Sequence, residues 1–143
     1  TKWMRKKENQ QNNYIYLSGS IINDTFVSEL KKYNISFRRK VIYQTILKKS
    51  LNRNTIKILK QNKITGVVFY SKTAADVYFK LLKKYKISIA TLQQKYFALS
   101  PRIAEHCKKY KIKQGVIKIS AEPDQTSMLS LIVANKQLIN IEK

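Results

Sequence analysis

The chain has 143 residues, of which 43% are hydrophobic and 10% aromatic, so it can bury the core of one compact domain. Only three glycines and two prolines are present, which excludes collagen-like repeats, Pro/Gly-rich low complexity and most all-β sandwiches. No apolar run approaches the roughly 20 residues that a membrane-spanning helix needs. The single cysteine, Cys107, cannot form an internal disulfide and favours a reducing, cytoplasmic location.

The charge of the chain is strongly positive. Lys and Arg number 29 against eight Asp and Glu, giving a formal net charge of +21. Such a chain attracts polyanions: nucleic acid without sequence preference, anionic lipid or a substrate with several carboxylates. The basic residues are mostly Lys, and Ile, Asn and Tyr are abundant too. This combination is also typical of an AT-rich coding sequence, so the charge alone does not assign a function.

Strand and helix patterns alternate from residue 14 onwards, after a basic tail or linker at residues 1–13. The strand patterns are short and mostly continuous apolar runs, as expected when helices cover both faces of a sheet. The order predicts an α/β fold with a doubly wound, mainly parallel five-stranded sheet, a three-layer α/β/α, flavodoxin-like lobe. The predicted strands are 14–18, 36–47, 66–70, 95–99 and 116–119, and the predicted helices are 24–33, 51–62, 73–85, 101–110 and 124–136.

The carboxyl ends of parallel strands are the places to look for a ligand, especially where the strand order reverses. The turn at residues 18–20 has neither GxGxxG nor GxxxxGK[ST], so a nucleotide signature is absent. Ser71 and Ser100 each follow a strand and precede a helix, where a hydroxyl serves as an N-cap or helps to hold an anion. His106 and Cys107 are adjacent and no CxxC occurs, which excludes an ordinary metal site.

Four segments, in this order and spacing, resemble the C-terminal half of uroporphyrinogen-III synthases over residues 14–136. The segments are VIYQT (41–45), GVVFYSKTAADVYF (66–79), FALSPRIAEHCKKYKI (97–112) and AEPDQTSMLSLI (121–132). The family pattern has a Val-Tyr-x-Thr strand end, two strand-turn-helix motifs and an Ala-Glu-x-Pro close. The strand and glycine turn of YIYLSGS (14–20) fit the same pattern.

The resemblance implies a lyase of porphyrin and heme biosynthesis that needs no cofactor and no metal. Such enzymes cyclise hydroxymethylbilane to uroporphyrinogen III, with loss of water and inversion of the last pyrrole ring, in a cleft between two α/β lobes. Tyr43 is the implied catalytic residue, assisting the departure of the hydroxyl group. The implied substrate-binding residues are Ser18, Gly19, Ser71, Lys72, Ser100, Pro101, Arg102 and Ile103.

The resemblance also divides the chain. It implies that residues 14–45 are a β-α-β unit of the other lobe and the crossover strand, and that residues 46–143 form the remaining lobe. We expect a partial enzyme, which either closes on itself into one five-stranded lobe, forms a swapped dimer, or pairs with a missing N-terminal lobe.

Two functions of other classes stay open from the residues alone. One is a basic, non-catalytic α/β module that binds nucleic acid, which a steep dependence of binding on salt would reveal. The other is a flavodoxin-like nucleotide-binding domain, which would be purified with a bound flavin or nucleotide.

Overall fold

The computed structural model describes residues 14–22, 24–113 and 115–139, and the chain divides into two compact units between Leu47 and Lys48. The predicted tail at residues 1–13 lies outside the described residues. The strands are β1 (Tyr14–Gly19), β2 (Phe37–Tyr43), β3 (Gly66–Phe69), β4 (Lys95–Ala98) and β5 (Ile117–Ile119). The helices are α1 (Asp24–Lys32), α2 (Arg53–Lys60), α3 (Lys72–Lys84), α4 (Pro101–Cys107) and α5 (Gln125–Ile139).

The first unit is a β-α-β unit. Its strands β1 and β2 are parallel and pair from Tyr14 opposite Phe37 to Gly19 opposite Tyr43. One face of this ribbon packs on α1, where the Tyr16 ring meets Phe26 edge-on with 5.2 Å between ring centroids. After α1 the chain turns through Asn34 at φ 52°, in the left-handed region that asparagine tolerates at a helix end.

The second unit has a three-stranded parallel sheet in the order β3-β4-β5. Its strands alternate with helices, and α3 and α4 contact both the sheet and each other. The core is aromatic at its centre, with the rings of Phe69 and Tyr96 stacked at 5.9 Å. Its buried residues are Leu59, Phe69, Ala75, Phe79, Leu82, Ile87, Tyr96, Ala98, Ile103, Ala104 and Cys107.

The prediction of one five-stranded sheet is wrong. The parallel strands form two separate sheets, of two and three strands. A central strand of a doubly wound sheet is apolar on both faces, whereas β2 carries the consecutive cations Arg38, Arg39 and Lys40, all exposed. Burying both faces of β2 would desolvate these charges. The expectation that the chain closes on itself into one five-stranded lobe fails for the same reason.

Several predicted boundaries also change. The strand predicted at residues 36–47 ends at Tyr43, and the exposed residues 44–50 have no regular structure. The helix predicted at 101–110 becomes α4 followed by a 3-10 turn at Lys108–Tyr110, and a further 3-10 turn lies at Ile89–Thr91. The strand order β3-β4-β5 contains no reversal. Among the described residues, no helix has the length and apolar character that crossing a membrane requires.

Candidate functional site

The carboxyl end of the first sheet brings the predicted glycine turn to the predicted catalytic tyrosine. The register of β1 and β2 shifts after Ser18, so that Gly19 pairs with Tyr43. The amide of Ser20 then donates to the carbonyl oxygen of Tyr43 at 3.0 Å, and the amide of Thr45 donates to Ser20 Oγ at 3.0 Å. The turn and the strand end are therefore joined by hydrogen bonds on both sides of Tyr43.

The tyrosine ring lies directly on Gly19. A Cβ atom at position 19 would be 2.5 Å from Tyr43 Cε2 and 2.8 Å from Cζ, closer than real Cβ atoms come to other heavy atoms, and 3.1 Å from the hydroxyl oxygen. Only glycine leaves room for the ring in this position. Tyr43 is nevertheless 62% exposed, so its phenol is open to a ligand. The backbone of the turn therefore supports the Tyr43 ring, whose accessible O–H group can donate a hydrogen bond or a proton.

Arg39 holds the same turn from the neighbouring strand. Its Nε donates to Ser18 Oγ at 2.9 Å, and its Nη2 donates to the carbonyl oxygens of Gly19 at 2.9 Å and Ser20 at 3.2 Å. Ser18 is only 6% exposed, so its hydroxyl serves this internal contact. No motif in the sequence singled out Arg39. Its place four residues before Tyr43 in the same strand was the available signal.

The second sheet presents two serines at its carboxyl end, and the structure distinguishes them. Ser71 Oγ accepts a hydrogen bond from the amide of Ala74 at 3.0 Å, which makes it the N-cap of α3. Ser100 precedes α4 in nearly the same backbone conformation, yet its hydroxyl makes no capping hydrogen bond. Its carbonyl oxygen accepts from the amides of Ile103 and Ala104 instead. Only Ser100 therefore keeps its hydroxyl outside the helix cap.

The other predicted substrate-binding residues of this unit follow these two serines in the chain, and their exposure differs. Lys72 is half-buried in the first turn of α3, and Arg102 is exposed in the first turn of α4. Pro101 takes the first helical position, where its missing N–H costs nothing. Ile103 is 7% exposed and packs in the core, so its side chain offers no surface to a ligand.

A separate polar cluster joins α3 to α4. Asp76 Oδ1 lies 2.8 Å from both His106 Nε2 and Lys109 Nζ, and Tyr110 donates to the same oxygen. Burial acts to raise the pKa of Asp76, but the hydrogen bonds from Lys109, Tyr110 and His106 outweigh burial and hold that pKa far below its usual value. Burial and the neighbouring Asp76 raise the pKa of the Cys107 thiol. That thiol is fully buried, so it does not act as a nucleophile.

The described residues contain no group of three or more His, Cys, Asp or Glu that could hold a metal ion. The groups that the structure places at the carboxyl ends of the strands are hydroxyl groups, backbone amides and cations. Such groups bind carboxylates and donate protons.

This chain is similar to known proteins in sequence and in fold. A family model of uroporphyrinogen-III synthase HemD matches residues 2–130. The crystal structure of uroporphyrinogen-III synthetase from Helicobacter pylori has a similar fold, with a TM-score of 0.66 and 17% sequence identity. The match covers 89% of this chain and 55% of that chain, so this chain spans about half the length of that relative. A comparison with curated proteins found no match. Because the family model extends over most of the sequence, this chain belongs to the uroporphyrinogen-III synthase family.

Proposed function

We propose that this protein acts as a uroporphyrinogen-III synthase, cyclising hydroxymethylbilane with loss of water and inversion of the last pyrrole ring. The observation that carries the proposal is the exposed phenol of Tyr43, seated on Gly19 at the carboxyl end of β1 and β2. Family membership supplies the reaction class. The proposal includes a cytoplasmic enzyme of porphyrin and heme biosynthesis that uses no cofactor.

The role of Tyr43 follows from the chemistry of the leaving group. The bond between the hydroxymethyl carbon and its oxygen breaks with the electron pair staying on oxygen, and the oxygen takes a proton from the phenol to leave as water. The carbon becomes an azafulvene cation that the pyrrole nitrogen stabilises, so mild acid assistance is enough. The terminal pyrrole attacks this cation through the ring carbon that already carries its bridge to the neighbouring pyrrole, which gives a spiro intermediate. The old bridge bond then breaks with its electron pair returning to the terminal ring, and the released carbon bonds to the free carbon on the other side of the ring nitrogen, which inverts the ring. That ring carbon loses its proton, and this proton restores the phenol.

The carboxylates of the substrate need cations and hydroxyl groups, and the second unit supplies both. Lys72 lies at the N-terminus of the 13-residue helix α3, where the helix dipole favours an anion. The Ser100 hydroxyl, which caps no helix, can donate to a carboxylate, and Arg102 adds a cation two residues further along the chain. The net charge of +21 attracts a polycarboxylate to the protein from solution.

The matched structure is about twice as long as this chain, and the proposal includes the part of such an enzyme that this chain does not span. We infer that β1, α1 and β2 belong to one lobe of a two-lobed enzyme and that residues 48–139 belong to the other. The sheet β1-β2 has two strands and β3-β4-β5 has three, which is small for the sheet of an α/β lobe. Further strands, from more of the same protein or from a second copy in a swapped dimer, would pair with their open edges.

The test is a product assay with freshly generated hydroxymethylbilane. After oxidation, the ratio of type III to type I uroporphyrin separates enzymatic from spontaneous closure, because spontaneous closure gives the symmetrical type I isomer. We expect the wild type to form an excess of type III uroporphyrin, and we expect Tyr43→Phe to lower the rate of type III formation about 100-fold. Tyr33→Phe, in the same unit but after α1, is the matched control and should keep the type III excess. Type I alone, from this chain and from the full protein that its gene encodes, would contradict the proposal.

A further inference from the structure

The turn that carries Tyr43 depends on one charged side chain. Three hydrogen bonds run from the Arg39 guanidinium to Ser18, Gly19 and Ser20, all between 2.9 and 3.2 Å. Hydrogen bonds that involve an ionised donor are about twice as strong as neutral ones. Arginine suits this task because its planar fork fixes the direction of each N–H, whereas a lysine ammonium has no such fixed geometry.

The same turn sets the position of the tyrosine. The amide of Ser20 donates to the backbone carbonyl of Tyr43 at 3.0 Å, and the Gly19 backbone supports the ring. A shift of the turn therefore moves both the backbone and the ring of Tyr43. The ring has little other support, since it is 62% exposed.

We propose that Arg39 is the positioning residue for Tyr43, holding the turn at residues 18–20 so that the phenol has one defined position. Arg39 acts through the turn, by hydrogen bonds to Ser18 Oγ and two carbonyl oxygens, and takes no part in the proton transfer. The kinetic part of this inference rests on the proposed function. Its structural part, that Arg39 determines the position of the Tyr43 ring, does not.

The neighbouring Arg38 provides a matched control. It pairs with Ile15, whereas Arg39 pairs with Tyr16, so the two arginines point to opposite faces of the same ribbon. Both side chains are exposed and carry the same charge. Arg38→Gln and Arg39→Gln thus change net charge equally, and only the second removes the hydrogen bonds to the turn.

The experiment compares Arg39→Gln, Arg39→Lys and Arg38→Gln in two measurements. The first records the ring resonances of 13C-labelled tyrosine by NMR, with the Tyr43 signal assigned by its loss in Tyr43→Phe. The second measures kcat and KM for type III formation. We expect both Arg39 variants to shift or broaden the Tyr43 signal. Arg39→Gln should also lower kcat by about 10-fold to 100-fold with KM changed less than about 2-fold, because misplacing a reacting group by 1 Å has this size of effect.

The outcomes separate the two proposals. If Arg39→Gln changes the Tyr43 signal and kcat no more than Arg38→Gln does, the positioning role is refuted. Equal losses in both variants would also refute it, since the cause would then be charge alone. If the wild type forms no type III isomer, the proposed function fails, and the NMR comparison still decides the positioning role. Should Arg39→Gln not fold, Arg39→Lys provides the comparison with Arg38→Lys as its control, because both variants keep the charge.

Discussion

The role of the contact between Gly19 and Tyr43 can be tested by adding a single methyl group at position 19. In Gly19→Ala the new Cβ would lie 2.5 Å from Tyr43 Cε2 and 2.8 Å from Cζ. Carbon atoms in contact stay about 3.5–4.0 Å apart, so the ring must retreat by roughly 1 Å or more. A displacement of this size at a reacting group costs about 100-fold in rate. We therefore expect kcat for type III formation to fall by about two orders of magnitude.

The free energy of unfolding should change little in the same variant. The Tyr43 ring is exposed and can swing into solvent, and Gly19 lies outside the left-handed region, so alanine fits its backbone. The reduced entropy of the unfolded chain stabilises Gly→Ala variants by about 0.4–1 kcal/mol at such positions. The net change should thus stay within about 1 kcal/mol, as measured by urea unfolding.

Gly66→Ala is the contrasting variant. Its Cβ would lie 2.7 Å from Phe97 Cε2, and Phe97 is 5% exposed, so this ring cannot move away. Overpacking of that kind destabilises by about 1–3 kcal/mol. The reasoning is refuted if Gly19→Ala loses as much stability as Gly66→Ala, or if it keeps the wild-type ratio of type III to type I uroporphyrin.

Three further predictions concern the second unit. Ser71→Ala removes the N-cap of α3 and should therefore lower the free energy of unfolding by about 1 kcal/mol. Ser100→Ala removes no capping hydrogen bond, so it should unfold like the wild type but raise KM for the bilane. Asp76→Asn should destabilise the protein most above pH 4. The pKa of Asp76 in the folded state lies below its unfolded value of 3.8. The stability that the ionised carboxylate contributes is therefore present above pH 3.8 and is lost as the pH falls through the folded-state pKa. Urea unfolding at pH 7 and pH 3 measures the difference, and an equal loss at both would contradict the ion pairing. Cys107 should resist a thiol reagent at pH 7 until the protein unfolds, and rapid labelling of the native chain would show that the thiol is accessible.

The order of strands and helices could be read from the sequence because its signals are local. The apolar run at residues 66–70 predicts β3, and the apolar stripe at residues 73–85 predicts α3, each within a residue of the observed bounds. The left-handed turn after α1 falls on Asn34, whose tolerance of this conformation is likewise a property of the residue itself. The family resemblance likewise depended on short motifs in order, and the family match over residues 2–130 confirms it.

The partition into two sheets depended on the tertiary structure. Apolar patterning says that a segment is a strand, but pairing joins residues far apart in sequence, as Gly19 and Tyr43 are. Five strands in series fit one doubly wound sheet equally well on pattern alone. The consecutive cations Arg38, Arg39 and Lys40 of β2 argued against one sheet, because helices that covered both faces of this strand would bury their charges.

The roles of individual site residues also needed three dimensions. Ser71 and Ser100 have the same local context, and only the structure shows that one hydroxyl caps a helix while the other does not. Sequence placed Tyr43 and Gly19 in separate motifs, and strand register brought them into contact. Arg39 was invisible among many basic residues because its importance lies in where its guanidinium points. Composition and periodicity thus determined the elements of this protein, whereas hydrogen bonds and packing between distant residues decided which side chains form the candidate site.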